Sequence, residues 1–200
     1  MVRFFAYSCG SGIAIQNLAA GSSTLKNKIT PIDRGREMRE DDFIVSKTDL
    51  KGRLTYGNPI FWEFSQFLES DMLGKQHNIV RHPDMPRSVF HFMWTTLKAG
   101  NEFFGCIKNM AKDGSYYWTM ANVTPSYDET DKLLGYFSVR RKPSQSATKD
   151  FSVLYKAMLE EEKRVGPKAA ISAGTAVLEN HIKGLNSNYE KFIFSYISTD

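Results

Sequence analysis

The stretch FFGCIKNMAKDGSYYWTMANVTPSY, residues 103–127, constrains the fold more than any other part of the chain. Two runs rich in aromatic and β-branched residues flank Asp113–Gly114, a dipeptide suited to the positive backbone angles of a tight hairpin. That pairing commits the strands to an antiparallel sheet. Before it, RSVFHFMWTTLKAG places Val89, Phe92, Met93 and Leu97 close to a helical period. From Asp42, DFIVSKTDLKGRLTYGN reads as two short strands around a Lys51–Gly52 turn. PIFWEFSQF follows as a short helical stretch and DMLGKQHNIV as an irregular connection, and LLGYFSVRR supplies a last strand after the hairpin. The order strand–strand–helices–strand–strand–strand describes an α+β fold, a five-stranded antiparallel sheet with helices on one face.

From Ser144 the texture becomes helical. Phe151, Leu154, Tyr155, Met158 and Leu159 make one apolar face. Gly166–Pro167 ends that helix and starts another carrying Ile171, Leu178, Ile182 and Leu185; a third stretch carries Tyr189, Phe192, Ile193, Tyr196 and Ile197. Helices of this length are marginal alone, so the stripes must pack on each other, on the sheet or on a partner. Residues 1–40, rich in Gly, Ser and Lys, read as a mobile N-terminal arm, 41–143 as the central domain and 144–200 as a helical extension.

Charge excludes some functions. Residues 1–40 hold six Lys/Arg against three Asp/Glu, whereas residues 41–143 hold thirteen against twelve. The central domain is thus nearly neutral, which argues against a nucleic-acid surface. Cys9 and Cys106 have no metal-ligand spacing, which fits a reducing cytoplasm. No stretch reaches the length of a membrane span. No nucleophile–base pair, metal cluster or phosphate loop stands out, so the chain reads as a non-enzyme.

The loop NIVRHPDMP, residues 78–86, admits two readings. In the first it is a helix start, with Asp84 as N-cap and Pro86 in the first turn. In the second Arg81 and His82 hold a ligand. A guanidinium fork grips paired phosphate oxygens in a way lysine cannot, and Pro83 pushes His82 toward an extended backbone.

TDLKGRLTYGNPIF, LGKQHNIVRHPDMP, MWTTLKAG, GCIKNMAKDGSYYWTMANVTPS and GYFSVRRKP together resemble the sensory PAS domain of the bacterial aerotaxis (energy taxis) receptor family and its stand-alone cytoplasmic relatives. The resemblance runs from about Asp42 to Pro143. It implies FAD as cofactor and sensing of redox state or oxygen, with the signal passed to a chemotaxis transducer. The sequence shows neither a transmembrane anchor nor a transducer's long heptad hairpin, so signalling is expected in trans, to a membrane-bound chemotaxis transducer or another signalling protein. A homodimer is a further arrangement the resemblance allows. The cofactor-binding residues it implies are Asn58, Arg81, His82, Asp84, Trp94, Phe103, Asn109 and Asn122. Phe103 stands where these receptors typically carry tryptophan, keeping a flat wall but losing the indole N–H. The side-chain amide of Asn109 has a donor and an acceptor on one rotatable end, and can follow a flavin N5 that accepts when oxidised and donates when reduced. The alternative is a cofactor-free PAS interaction module, or a haem-binding one using His77 or His82. A blue-light photoreceptor would need a cysteine in the NIVRHPDMP region, and that region has none.

Overall fold

A computed structural model describes residues 29–197. Strands β1 (Ile44–Asp49), β2 (Leu54–Gly57), β3 (Phe103–Met110), β4 (Tyr116–Tyr127) and β5 (Leu133–Arg141) form one antiparallel sheet in the order β2-β1-β5-β4-β3. Gly114 turns the β3–β4 hairpin at φ 88°, a left-handed conformation that glycine adopts without cost. Between β2 and β3 lie α1 (Pro59–Ser65), the single turn α2 (Glu69–Met72), a 3-10 turn at His77–Val80 and α3 (Arg87–Lys98). The α+β architecture expected from the sequence is the one observed.

The helical extension forms α4 (Gln145–Val165), α5 (Ala170–Gly184) and α6 (Tyr189–Phe194). Of the places open to their apolar stripes, they take the sheet and each other. Phe151, Leu154, Tyr155, Met158, Phe192 and Ile193 are buried in one core with Cys106, Met120 and the α3 residues Val89 and Leu97. Each such side chain contributes about 1.5–3 kcal/mol relative to exposure. Trp118 of β4 stacks with Tyr155 at 6.3 Å, and Phe104 of β3 meets Phe194 edge-on at 5.0 Å. The carbonyls of Phe104, Cys106 and Lys108, alternate residues of β3, accept hydrogen bonds from the Tyr189 hydroxyl (2.6 Å), the Tyr155 hydroxyl (2.7 Å) and the His82 N–H (3.4 Å). A second core gathers Met38, Ile44, Phe61, Phe64 and Tyr117.

Of the segment expected to be a mobile arm, residues 1–28 lie outside the described residues, and residues 29–40 run along the β3–β4 hairpin. The Ile32 N–H donates to the Gly114 carbonyl (2.9 Å), Gly35 bridges Tyr116, and Arg34 pairs with Asp113. Met38 is buried, so this part is docked.

The start of α3 also differs from expectation. The helix begins at Arg87 with Pro86 in the N-cap position, and Asp84 makes no cap. The orphan N–H groups of the first turn are taken from another element. The Glu162 carboxylate, buried on α4, accepts from the Arg87 N–H (3.0 Å), the Ser88 N–H (2.9 Å) and the Ser88 hydroxyl (2.7 Å). Gly174 of α5 lets the three helices close on this point: a Cβ there would lie 2.4 Å from Ser88 Oγ and 2.6 Å from Glu162 Oε1.

Candidate ligand-binding site

Between the sheet and α3 lies a partly open cavity of about 170 Å³, whose lining includes the exposed Gln76 and Asn78. Strand alternation decides what faces it. Phe103, Ile107 and Asn109 come from β3, Ala121 and Val123 from β4, Tyr136, Ser138 and Arg140 from β5, and Ser46 and Thr48 from β1. Helix α3 contributes Phe90, Met93, Trp94 and Leu97, and the chain before it His77, Val80 and Arg81. The wall is thus aromatic and aliphatic through its middle and polar toward β1 and the end of β5.

Arg81 holds its place through two contacts. Its Nη2 donates to the Met85 carbonyl (2.7 Å), and its guanidinium lies 4.3 Å from the Phe90 ring. A backbone bridge to Asn109 ties the loop to β3. Burial pulls the guanidinium pKa down, and it stays charged. Arg140 sits deeper, 6% exposed. Its Nη2 donates to Ser46 Oγ (3.1 Å) and lies 2.8 Å from His77 Nε2. Burial, then the Arg140 charge, hold His77 down near 3, so this imidazole is neutral and its Nε2 accepts the bond. Asn109, also buried, donates from Nδ2 to Thr119 Oγ1 at 3.3 Å.

Two properties set this cavity apart. Its lining contains two arginines and no aspartate or glutamate. Moreover, the buried side-chain polar atoms without a hydrogen-bond partner among the described residues are Thr48 Oγ1, Ser138 Oγ and Arg140 Nη1, and all three residues line it. Buried polar groups are nearly always satisfied, so these three atoms are available to bond whatever occupies the cavity.

The eight residues singled out in the sequence divide evenly. Arg81, Trp94, Phe103 and Asn109 line the cavity, with Trp94 edge-on to Tyr136 at 5.1 Å. Asn58, His82, Asp84 and Asn122 do not. Asn58 caps α1, its Oδ1 accepting from the Phe61 and Val45 N–H groups (both 3.0 Å) and its Nδ2 donating to the Phe43 carbonyl (2.7 Å). His82 is buried edge-on to Tyr116, and its Nδ1 accepts the Asp84 N–H at 3.1 Å. Burial and the Lys108 charge hold it down near 4, so it is neutral. Asp84 is exposed and pairs with Lys108 (2.7 Å), which fixes the loop from outside. Asn122 donates to Glu102 Oε2 at 3.1 Å. Cys106 also stands outside the lining; burial raises its thiol pKa and keeps it protonated.

Sequence reasoning missed Ser46, Thr48, Ser138 and Arg140. In LLGYFSVRR the alternate set Tyr136, Ser138, Arg140 looks like the solvent face, because Phe137 and Val139 are the apolar members. The structure buries Ser138 and Arg140 and leaves Phe137 and Val139 half-buried.

Residues 55–140 match the family described as PAS fold. Together with the strand order, this shows that the central domain has the PAS fold. The chain is 38% identical to the aerotaxis receptor of Escherichia coli K12 over 121 residues, covering 60% of this chain and 24% of the receptor. It is 28% identical to the nitrogen fixation regulatory protein of Klebsiella pneumoniae over 104 residues, covering 52% of this chain and 21% of that protein. The chain thus spans about a quarter or less of the length of these curated relatives. Among solved structures it resembles a light-oxygen-voltage domain from a flavin-analogue study (21% identity, 55% of this chain, 82% of that chain, TM-score 0.49). It also resembles the PAS domain of a Colwellia psychrerythraea protein (19% identity, 50% of this chain, 85% of that chain, TM-score 0.43).

Proposed function

From the PAS fold as premise, we propose that this chain is a flavin-binding sensor of redox state or oxygen, with FAD held non-covalently in the cavity between the sheet and α3. It works in energy taxis as a cytoplasmic protein, signals in trans to a membrane-bound transducer or another signalling protein, and is not an enzyme. Among the described residues no helix is long and apolar enough to cross a membrane. One observation carries the ligand assignment: the cavity is aromatic-walled, has two arginines and no carboxylate, and collects three orphan polar atoms. A flavin dinucleotide matches that chemistry, with flat apolar rings, ring carbonyls and a pyrophosphate. The present volume, about 170 Å³, is near that of a cavity that takes one benzene ring (about 150 Å³). A three-ring system therefore has to move part of the wall, and the half-buried Phe90, Met93 and Trp94 of α3 are the part able to yield.

The residues divide the work. Trp94, Phe103 and Tyr136 offer flat faces for the rings, Asn109 a reorientable amide, and Arg81 a fork for phosphate oxygens. When bound, the flavin supplies reversible electron uptake and a change of charge and hydrogen-bond pattern at its ring. The protein answers through α3. That helix is both a cavity wall and bonded at its first turn to Glu162 of α4, so displacement of the wall reaches the C-terminal helices directly. A partner reads the change only by binding the two arrangements unequally, with about 1–3 kcal/mol typical of such coupling.

The test is the colour of the protein purified in air. Flavin absorption, with FAD released on denaturation, is the expected result. A colourless protein that takes up no FAD on incubation, or one with a Soret band, would overturn the proposal.

A further inference from the structure

Arg140 is a buried charge with no opposite charge beside it. The other buried charged side chains among the described residues are compensated: Asp42 by Arg39 at 2.7 Å, and Glu162 by two backbone N–H groups and a hydroxyl. Arg140 has only neutral partners: Ser46 and His77 on Nη2, and the Phe61 ring 5.9 Å from the guanidinium, with no hydrogen-bond partner on Nη1. Burial without a partner pulls its pKa down to about 10, which still leaves it charged at neutral pH. Leaving a buried charge uncompensated is strongly destabilising, and a fold with no use for this one would gain by replacing it. The neighbouring orphans follow from the register. Strand β5 pairs with β1 so that Arg140 lies opposite Ile44, Ser138 opposite Ser46 and Tyr136 opposite Thr48. Arg140, Ser138 and Thr48 therefore share one face of two adjacent strands, and all line the cavity.

We propose that Arg140, with Ser138 and Thr48, is the cavity's counter-ion: it receives the carbonyl-bearing edge of the flavin ring and favours the reduced, anionic form over the oxidised, neutral one. The proposal rests on the flavin reading above and assigns its redox tuning to a residue. Reduction of the ring by two electrons, supplied in the assay by dithionite, and one proton, taken from the solvent, adds one net negative charge. That charge gains most beside a guanidinium in a cavity that has no carboxylate. Arg81 sits on the far side of the lining, with Asn109, and is left for the phosphates.

The experiment uses the full chain loaded with FAD and compares the parent with Arg140→Met, Arg140→Lys and Ser138→Ala by reductive titration against a dye of known potential. A charge contact of this kind is worth about ten- to a thousandfold in preference between charge states. For Arg140→Met a loss of about a hundredfold is expected, a midpoint about 60 mV lower for two electrons. Arg140→Lys keeps the charge but not the fork and falls by less; Ser138→Ala moves least. Ligand-free Arg140→Met should melt no lower than the parent, because an uncompensated charge has gone; a purely structural arginine would make it melt well below. An unchanged midpoint in flavin-loaded Arg140→Met, or that lower melting, overturns the proposal and leaves the flavin assignment standing. Should Arg140→Met hold no flavin, Arg140→Lys decides: a lowered midpoint supports the proposal and the parent's value overturns it. A parent that takes up no FAD overturns the function and this inference together.

Discussion

Glu162→Ala removes the link between the C-terminal helices and the cavity wall. The lost interactions are two backbone N–H bonds at 3.0 and 2.9 Å and a hydroxyl bond at 2.7 Å, all to one buried carboxylate. Hydrogen bonds to a charged acceptor contribute about 1.5–3 kcal/mol each when counted singly. Three on one group are not additive, and removing the carboxylate also relieves its own desolvation. Loss of negative charge at the helix start costs a further 0.3–1 kcal/mol or so. The net expectation is about 3 kcal/mol, or roughly 6–12 °C in melting temperature at about 2–4 °C per kcal/mol for a chain of this size. Glu162→Gln keeps the shape and one acceptor oxygen and should lose about half as much. The assay is thermal unfolding of the full chain followed by circular dichroism. Gly174→Ala supplies an internal check. Its new methyl meets Ser88 Oγ and the Glu162 carboxylate, so alone it should cost about 1–3 kcal/mol. In the Glu162→Ala background the carboxylate has gone and only the Ser88 hydroxyl, released from its bond to it, still meets the methyl, so the cost should shrink. A Glu162→Ala protein melting within about 1 °C of the parent, or additive costs in the double variant, would refute the link.

Two further outcomes are expected. His77 and His82, held near 3 and 4 mainly by burial, stay neutral in the folded protein while unfolded histidines near 6.5 take up protons. Stability is therefore complete above about 6.5 and falls as pH drops toward 4, by up to about 1.4 kcal/mol per pH unit for each histidine. A melting series across that range should show the fall, before carboxylates such as Asp113, held near 2 chiefly by Ser115, are protonated, and His77→Gln should remove its share of the slope and leave that of His82. Asn58→Ala should lower stability by about 1–2 kcal/mol through loss of the α1 cap, while flavin content per folded molecule, measured after denaturation, stays at the parent's level.

The strands, the long helices and the hairpin were legible because periodicity and turn residues act locally. The site was half legible. Arg81 and Asn109 announce themselves as polar residues beside a loop and a hairpin, but the inward face of β5 is disguised, since Ser138 and Arg140 obey the cavity's polarity and not the core's. Asp84 looked like the cap of α3 because the cap was sought within reach of the chain; the real one comes from Glu162, 75 residues from Arg87. A clue was present. Glu162 falls four residues after Met158 on the apolar stripe of α4, while Glu160 and Glu161 fall off it.

Strand β3 is an edge strand, and open edges are templates for another chain. The tyrosines on α4 and α6 give this one a second purpose: Tyr155 and Tyr189 occupy the Cys106 and Phe104 carbonyls that an incoming strand would use. The C-terminal helices therefore act as a guard against β-addition as well as a cover for the sheet. A chain cut after Ser144 would expose that ladder together with Phe104, Trp118 and Met120, and should self-associate or aggregate even where its PAS core still folds. Tyr155→Phe with Tyr189→Phe tests the guard more gently: the helices keep their apolar packing, and the two carbonyls are released to whatever strand arrives first.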